Sequence, residues 1–235
     1  MLTPNKQPFH RVAYVDDDED ERETFKLLLE EEGIEDPIAP PGSFTSIDDL
    51  VERLLVLQVD GVVCDHRLTK NGFAYFTGAE AVQHLMQASL PAILVTSFKM
   101  DIDNDICMFR RDIPALLSRD RAREPGCLTQ ALLSARHELA GHRESSRLPT
   151  RTLVHVVKRT SESGKDVVDA FLPAWNPEQA VRFPVDVAGK MALLLQEDKM
   201  FFAQVNIGAE HDRDLFFFDF EEAPELDESD WPEGF

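Results

Sequence analysis

The sequence predicts an α/β fold. A doubly wound, five-stranded parallel sheet spans residues 8–141, and a small, mostly antiparallel β domain follows over 151–222. Three observations carry this expectation. Short continuous apolar runs alternate with segments of helical apolar spacing through the first half of the chain. The polar stretch GHRESSRLPTR, Gly141 to Arg151, breaks the alternation and puts a linker at 142–150. Beyond it, β-branched and aromatic runs recur with no helical segment between them.

Each element follows from its residues. RVAYV (Arg11 to Val15) is a buried-strand run. ERETFKLLLEEEG places Phe25, Leu28 and Leu29 at helical spacing and stops at Gly33. A short strand is expected near Pro37–Ala39. TSIDDLVERLLVL is a helix with Ser46 as its cap. DGVVCD and PAILVTS are continuous apolar runs, as central parallel strands require. TGAEAVQHLMQA is helical, MDIDNDICMFRR is a further helix, and IPALLS is the last strand of the sheet. CLTQALLSARHELA closes the domain as a helix. In the second part, RTLVHVVKR, DVVDAFLP, MALLLQ, MFFAQVNIG and DLFFFDF are strand runs of a sandwich or barrel, with Phe216, Phe217, Phe218 and Phe220 in its core. Residues 223–235 form an acidic, proline-punctuated tail.

The formal net charge of −20 argues against a nucleic-acid surface, which needs clustered Lys and Arg, and against an anionic membrane as partner. No apolar run approaches the roughly 18 residues of a membrane span, and no export signal is visible. Three widely spaced cysteines, Cys64, Cys107 and Cys127, fit reduced thiols. The expected location is cytoplasmic. No Cys-x-x-Cys or His-Glu-x-x-His pattern supports structural zinc.

In an open α/β sheet, ligands sit at the carboxyl ends of the strands. Strand ends here supply Asp16, Asp17 and Asp18, then Asp65, then Thr96 and Ser97, then Ser118 and Arg119. The first of these opens a run of six consecutive acids, Asp16 to Glu21. Two carboxylates about 4 Å apart repel by roughly 4 kcal/mol at an effective dielectric near 20, so converging acids need a cation or protons. The bland reading of Asp18, Glu19 and Asp20 is a helix start.

YVDDD, VVCD, ILVTS and ALLSR, in that order and at strand ends, resemble the receiver domain of two-component response regulators over Arg11 to Leu139. The resemblance implies a flavodoxin-like sheet and Mg2+ held by Asp16, Asp17, Asp65 and the backbone carbonyl of Arg67. It implies Asp65 as phosphoryl acceptor and Thr96 as the hydroxyl that follows the phosphoryl group. Arg119 stands where the family has lysine. The implied partners are a cognate histidine kinase or phosphotransfer protein, a downstream protein, and in some cases a second copy of the chain. No DNA binding is expected. The chain is expected to be a non-enzymatic signalling protein.

Four departures from the family accompany this resemblance. Arg119 replaces a point ammonium with a planar fork. Leu116 stands where many receivers carry a switching aromatic, and Asp120 where proline is usual. The segment HRLTKNGFAYFTG after Asp65 is longer and carries Phe73, Tyr75 and Phe76, expected to pack onto the domain. A second function is therefore carried alongside the first: a pseudo-receiver scaffold that binds partners without phosphorylation. A haloacid-dehalogenase-type phosphatase needs an acid two residues after the nucleophile, where this chain has Arg67. For Arg119, the bland alternative is a surface pair with Asp120 or Glu124.

Overall fold

The computed structural model describes residues 8–97, 104–162 and 164–224. The acidic tail from 225 onward and the start of the MDIDNDICMFRR helix lie outside these residues. The chain divides into two compact units, Met1–Glu144 and Ser145–Phe235.

In the first unit, strands β1 (Val12–Val15), β2 (Gly61–Asp65), β3 (Ala92–Thr96) and β4 (Leu116–Ser118) form a parallel sheet in that spatial order. The fifth expected strand is reduced to one residue: Ile38 bridges Ala13 in parallel on the free edge of β1. Its amide donates to Val12 and its carbonyl accepts from Tyr14, both at 2.9 Å. Pro37 and Pro40, close on either side, lack the N–H groups a longer ladder needs.

Alternate residues of each strand face opposite sides. Val12, Tyr14, Val63, Ile93 and Val95 pack with Phe25 and Leu29 of α1 (Glu19–Glu31) and with Leu128 and Leu132 of α6 (Cys127–Leu139). Ala13, Val15, Val62, Cys64 and Leu94 pack on the other side, with Leu50 and Leu54 of α2 (Ile47–Val56) and Val82 and Leu85 of α3 (Gly78–Gln87). The sheet is thus covered on both faces, as its continuous apolar runs require. Shorter helices α4 (Asn104–Phe109) and α5 (Arg119–Ala122) flank β4. Ser46 caps α2, accepting from the Asp49 amide.

Among the described residues the second unit has one open antiparallel sheet and not a sandwich or barrel. Its order is β7-β6-β5-β8-β9, with β5 Thr150–Glu162, β6 Lys165–Leu172, β7 Asn176–Pro184, β8 Met200–Val205 and β9 Phe217–Glu222. A 3-10 segment, Val185–Leu194, packs Val185 and Ala188 into the core formed by Val154, Val168, Phe183, Phe201 and Phe220. Two elements differ from expectation. MALLLQ is not a strand: most of it belongs to the 3-10 segment, because its Ala and Leu residues favour helical turns over the pleat. Asn176–Pro184 is a strand that the sequence hid, since Pro177, Glu178 and Gln179 are exposed and tolerated only at a sheet edge. Of the four phenylalanines near the end, Phe216 and Phe220 are buried, whereas Phe217 and Phe218 are half-buried.

Candidate functional site

The carboxyl edge of the parallel sheet collects the residues the strand-end argument selects. β1 delivers Asp16, which is wholly buried. One of its oxygens accepts from the Asp18 amide at 2.7 Å. The other accepts from the Tyr14 hydroxyl and from Arg119 Nη2, both at 2.9 Å. β2 delivers Asp65, 4% exposed. Its Oδ1 accepts from the same Arg119 Nη2 at 2.7 Å and its Oδ2 from the Arg67 amide at 2.8 Å. Ser118 ends β4, caps α5 by accepting from the Arg121 amide at 3.1 Å, and so launches Arg119 at the sheet edge. The other arm of the guanidinium, Nη1, pairs with Glu21 at 3.0 Å. Arg119 therefore turns inward to three acids, and the surface pair with Asp120 or Glu124 is not its contact. Glu124 pairs with Arg121 instead.

The electrostatics follow from burial. Loss of water pushes the Asp16 carboxyl up to about 6; the Asp18 amide opposes this, and the nearby charge of Asp65 adds to it. Burial also raises Asp65, against the hydrogen bond and charge of Arg119. For Arg119, burial disfavours the cation, but its bond to Asp65 and the surrounding acids outweigh that and hold it more firmly charged. Burial raises the Tyr14 hydroxyl, with the charge of Asp16 acting in the same sense. Tyr14 is therefore a neutral donor to Asp16, and its ring stacks on Phe25 at 4.1 Å.

Asp17 is turned to a different partner. Its Oδ2 accepts from the Lys70 amide at 2.5 Å, while Lys70 Nζ pairs with Asp18 at 2.6 Å. Its charge still reaches Asp65, as a minor contribution that raises the Asp65 pKa. Asp18 is the N-cap of α1, accepting from the Asp20 amide. Thr96 is buried at the end of β3, in register with Ser118. An open cleft of about 550 Å3 beside the centre is lined by the later acids, Asp17 to Asp20, together with Lys70 and Phe73; neither Asp16 nor Asp65 lines it.

The long segment after Asp65 is pinned to the body of the unit. Phe73 and Phe76 are buried, Phe73 edge-on to Phe44 at 5.3 Å, but Tyr75 is 82% exposed and does not pack. Where the segment meets α3, a Cβ on Gly78 would lie 1.9 Å from the Asp65 carbonyl oxygen, so only glycine fits. Thr77 and Glu80 form a capping box that fixes this helix start. Leu116 is half-buried against the α2/α3 side of the core, and Asp120 is exposed.

Asp16, Asp65 and Arg119 converge as the strand-end argument expects, while Asp17 faces the loop. Tyr14, Glu21, Lys70 and Gly78 were not selected from sequence. Tyr14 was detectable, since residues two apart on a strand share a face and Tyr14 precedes Asp16 by two. Glu21 and Lys70 depend on tertiary placement.

The fit to Mg2+ is poor with Arg119 in place. Mg2+ needs oxygen ligands at 2.0–2.1 Å. Both oxygens of Asp16 and both of Asp65 accept from protein donors, and one guanidinium nitrogen lies between the two carboxylates. Among the described residues no group of three His, Cys, Asp or Glu side chains is arranged to hold a metal ion.

Comparison with solved structures finds response-regulator receiver domains. Solved structures similar to this chain include a receiver domain from Clostridium thermocellum, at 16% identity over 55% of this chain and 95% of that one, TM-score 0.42. A signal receiver domain of an HD domain-containing protein from Pseudomonas fluorescens is similar at 18% identity over 60% and 96%, TM-score 0.42. A CheY-like receiver domain from Methylobacillus flagellatus is similar at 22% identity over 54% and 98%, TM-score 0.38. No family model and no curated protein matches the chain. No helix among the described residues is long and apolar enough to cross a membrane.

Proposed function

We propose that this protein is an atypical response regulator, not an enzyme, whose receiver-like unit acts through protein–protein contact and is built around a centre of Arg119, Asp65 and Asp16. The observation that carries this reading is convergence. Arg119 meets Asp65 from 54 residues away and Asp16 from 103 residues away, at the sheet edge where such folds place ligands.

Two modes of action use this centre. In the first, a histidine kinase or phosphotransfer protein donates to Asp65. An Asp65 oxygen attacks phosphorus, the P–N bond of a phosphohistidine breaks, and the imidazole leaves with the bonding pair. The strand-end position of Asp65 and the adjacent cation support this mode. In the second, the unit is a scaffold indifferent to phosphate. Burial of Asp65, the protein donors on both its oxygens and the poor fit to Mg2+ support the second mode, and it is the one we adopt.

The deciding experiment is intact-mass measurement of the full chain after incubation with acetyl phosphate and Mg2+, beside Asp65→Asn. The scaffold mode expects unmodified wild type. A phosphoryl adduct on the wild type that Asp65→Asn lacks returns the function to the acceptor mode. Binding of beryllofluoride, read by calorimetry, is a second readout with the same logic. Retardation of duplex DNA at physiological salt is not expected, given the net charge of −20.

A further inference from the structure

We propose that Arg119 is the resident cation of the acid centre: it occupies the place a divalent metal would take between Asp16 and Asp65 and thereby excludes Mg2+. This deepens the scaffold reading of the same site.

The argument is one of competing occupancy. Asp16 Oδ2 and Asp65 Oδ1 both accept from a single nitrogen, Arg119 Nη2, at 2.9 and 2.7 Å. A metal joining those two oxygens would have to stand where that nitrogen stands. The remaining oxygens of the pair are held by the Asp18 and Arg67 amides, and Asp16 Oδ2 also accepts from the Tyr14 hydroxyl, so no rotation of either carboxylate frees an edge without breaking a further bond. The guanidinium is itself anchored. Ser118 caps the turn that bears it, and Glu21 holds its other arm at 3.0 Å. Arginine cannot shed its proton, so no accessible pH removes the charge that repels a dication. A second basic residue completes the compensation: Lys70 supplies its amide to Asp17 and its ammonium to Asp18. The acids at this sheet edge are thus held from within the chain: the fork reaches Asp16, Glu21 and Asp65, while Lys70 pairs with Asp18 and donates its amide to Asp17. This is the physical consequence of the arginine that departs from the family's lysine. A single ammonium has no second arm, whereas the planar fork joins Asp16 and Asp65 through one nitrogen and is anchored to Glu21 through the other.

The test uses the full chain as wild type, Arg119→Met and Arg119→Lys. Each is titrated with MgCl2 to about 10 mM, a range suited to weakly held hard cations. Backbone amide shifts of Asp17, Asp65 and Arg67 are followed by NMR, with calorimetry in parallel. The wild type is expected to show no saturable shift. Arg119→Met is expected to bind at least roughly tenfold more tightly than any wild-type response. If Arg119→Met does not fold, Arg119→Lys carries the test, because it keeps the charge but loses the second arm that Glu21 anchors. Saturable binding by the wild type overturns the inference, and so does equally absent binding in the folded variants. Acetyl phosphate labelling of the wild type in the presence of chelator bears on the scaffold reading alone, whereas labelling that requires Mg2+ overturns both. A phosphoryl adduct formed without Mg2+ would therefore sink that reading and leave the role of Arg119 standing.

Discussion

Replacing Arg119 by methionine keeps most of the side-chain length and removes the charge that Asp16 and Asp65 share. The two carboxylates are 0% and 5% exposed at the side chain, and the arginine 18%. Each ion pair is worth roughly 4 kcal/mol of gross attraction at about 4 Å and an effective dielectric near 20. Desolvation of all three groups offsets much of that sum, so the pairs are poor evidence of net stabilisation. Breaking them from one side is different. It leaves two buried carboxylates facing each other, and the cost of stranding a buried charge is about 3–5 kcal/mol. The third pair, to Glu21, adds little because both partners are partly solvated. We therefore expect Arg119→Met to lose about 3–5 kcal/mol near pH 7.5. The loss should shrink near pH 5, where one carboxyl takes up a proton. The assay is urea unfolding followed by far-UV circular dichroism in the presence of chelator. Among the described residues the α-helices lie in the N-terminal unit, so the helical signal reports on that unit. Adding Asp65→Asn to Arg119→Met should recover roughly half of the loss, since contacting sites do not add. A loss below about 1 kcal/mol, the size of an exposed pair, would mean the bridge is a surface contact and the account of the centre is mistaken.

Three further outcomes are expected. The Asp16 carboxyl lies near 6 in the folded chain against an ordinary value of 3.8, so between these values the folded state holds a proton that the unfolded state lacks. Stability should therefore rise as pH falls from 7.5 to 5, by about 1.4 kcal/mol from this group, because pH 5 lies about one unit below the folded value. Asp65 acts in the same sense, and Asp18, Asp49, Asp166 and Asp169, whose pKa values are lowered, reverse the trend only in more acid solution. Thermal scans of Asp16→Asn should show most of this rise gone, and an unchanged rise would contradict the assignment. Gly78→Ala should destabilise the N-terminal unit by about 3 kcal/mol, because backbone cannot give way as a flexible side chain does; urea midpoints within error of wild type would refute this. Glu32 caps α6 from another helix, accepting from the Leu128 and Thr129 amides at 3.2 and 2.7 Å, while Gly126 at the N-cap has no side chain to do so. Glu32→Ala should cost about 1–2 kcal/mol and speed hydrogen exchange at those two amides, whereas Glu32→Gln should lose less.

What could be seen in the sequence was whatever depends on local pattern. β1, β2 and β3 announce themselves because a strand covered on both faces must be apolar at every position. The helix starts at Ser46 and Thr77 follow from hydroxyls placed three residues ahead of an acid. Asp65 and Arg119 were legible because strand ends in such sheets converge, whatever the loops between them do. The elements that stayed hidden lack a local signature. The edge strand Asn176–Pro184 has solvent on one side and so little apolar pattern, and the run at 191–196 is apolar without being extended. The partner of each acid was hidden for a related reason. A run of six carboxylates has no internal order, and which of them turns inward is decided by donors distant in sequence. Tyr14 and Arg119 take Asp16 into the core, while Lys70, on a loop more than fifty residues away, draws Asp17 outward. The acid run thus divides by partner. Asp16 is paired with Arg119 against Asp65, Asp17 and Asp18 belong to Lys70, and Glu19 and Asp20 lie in the acidic first turn that the dipole of α1 favours. A chain that settles its strongest local repulsion in this way has already chosen a cation, and the choice of an arginine that cannot let go is what separates this centre from one built to exchange a metal.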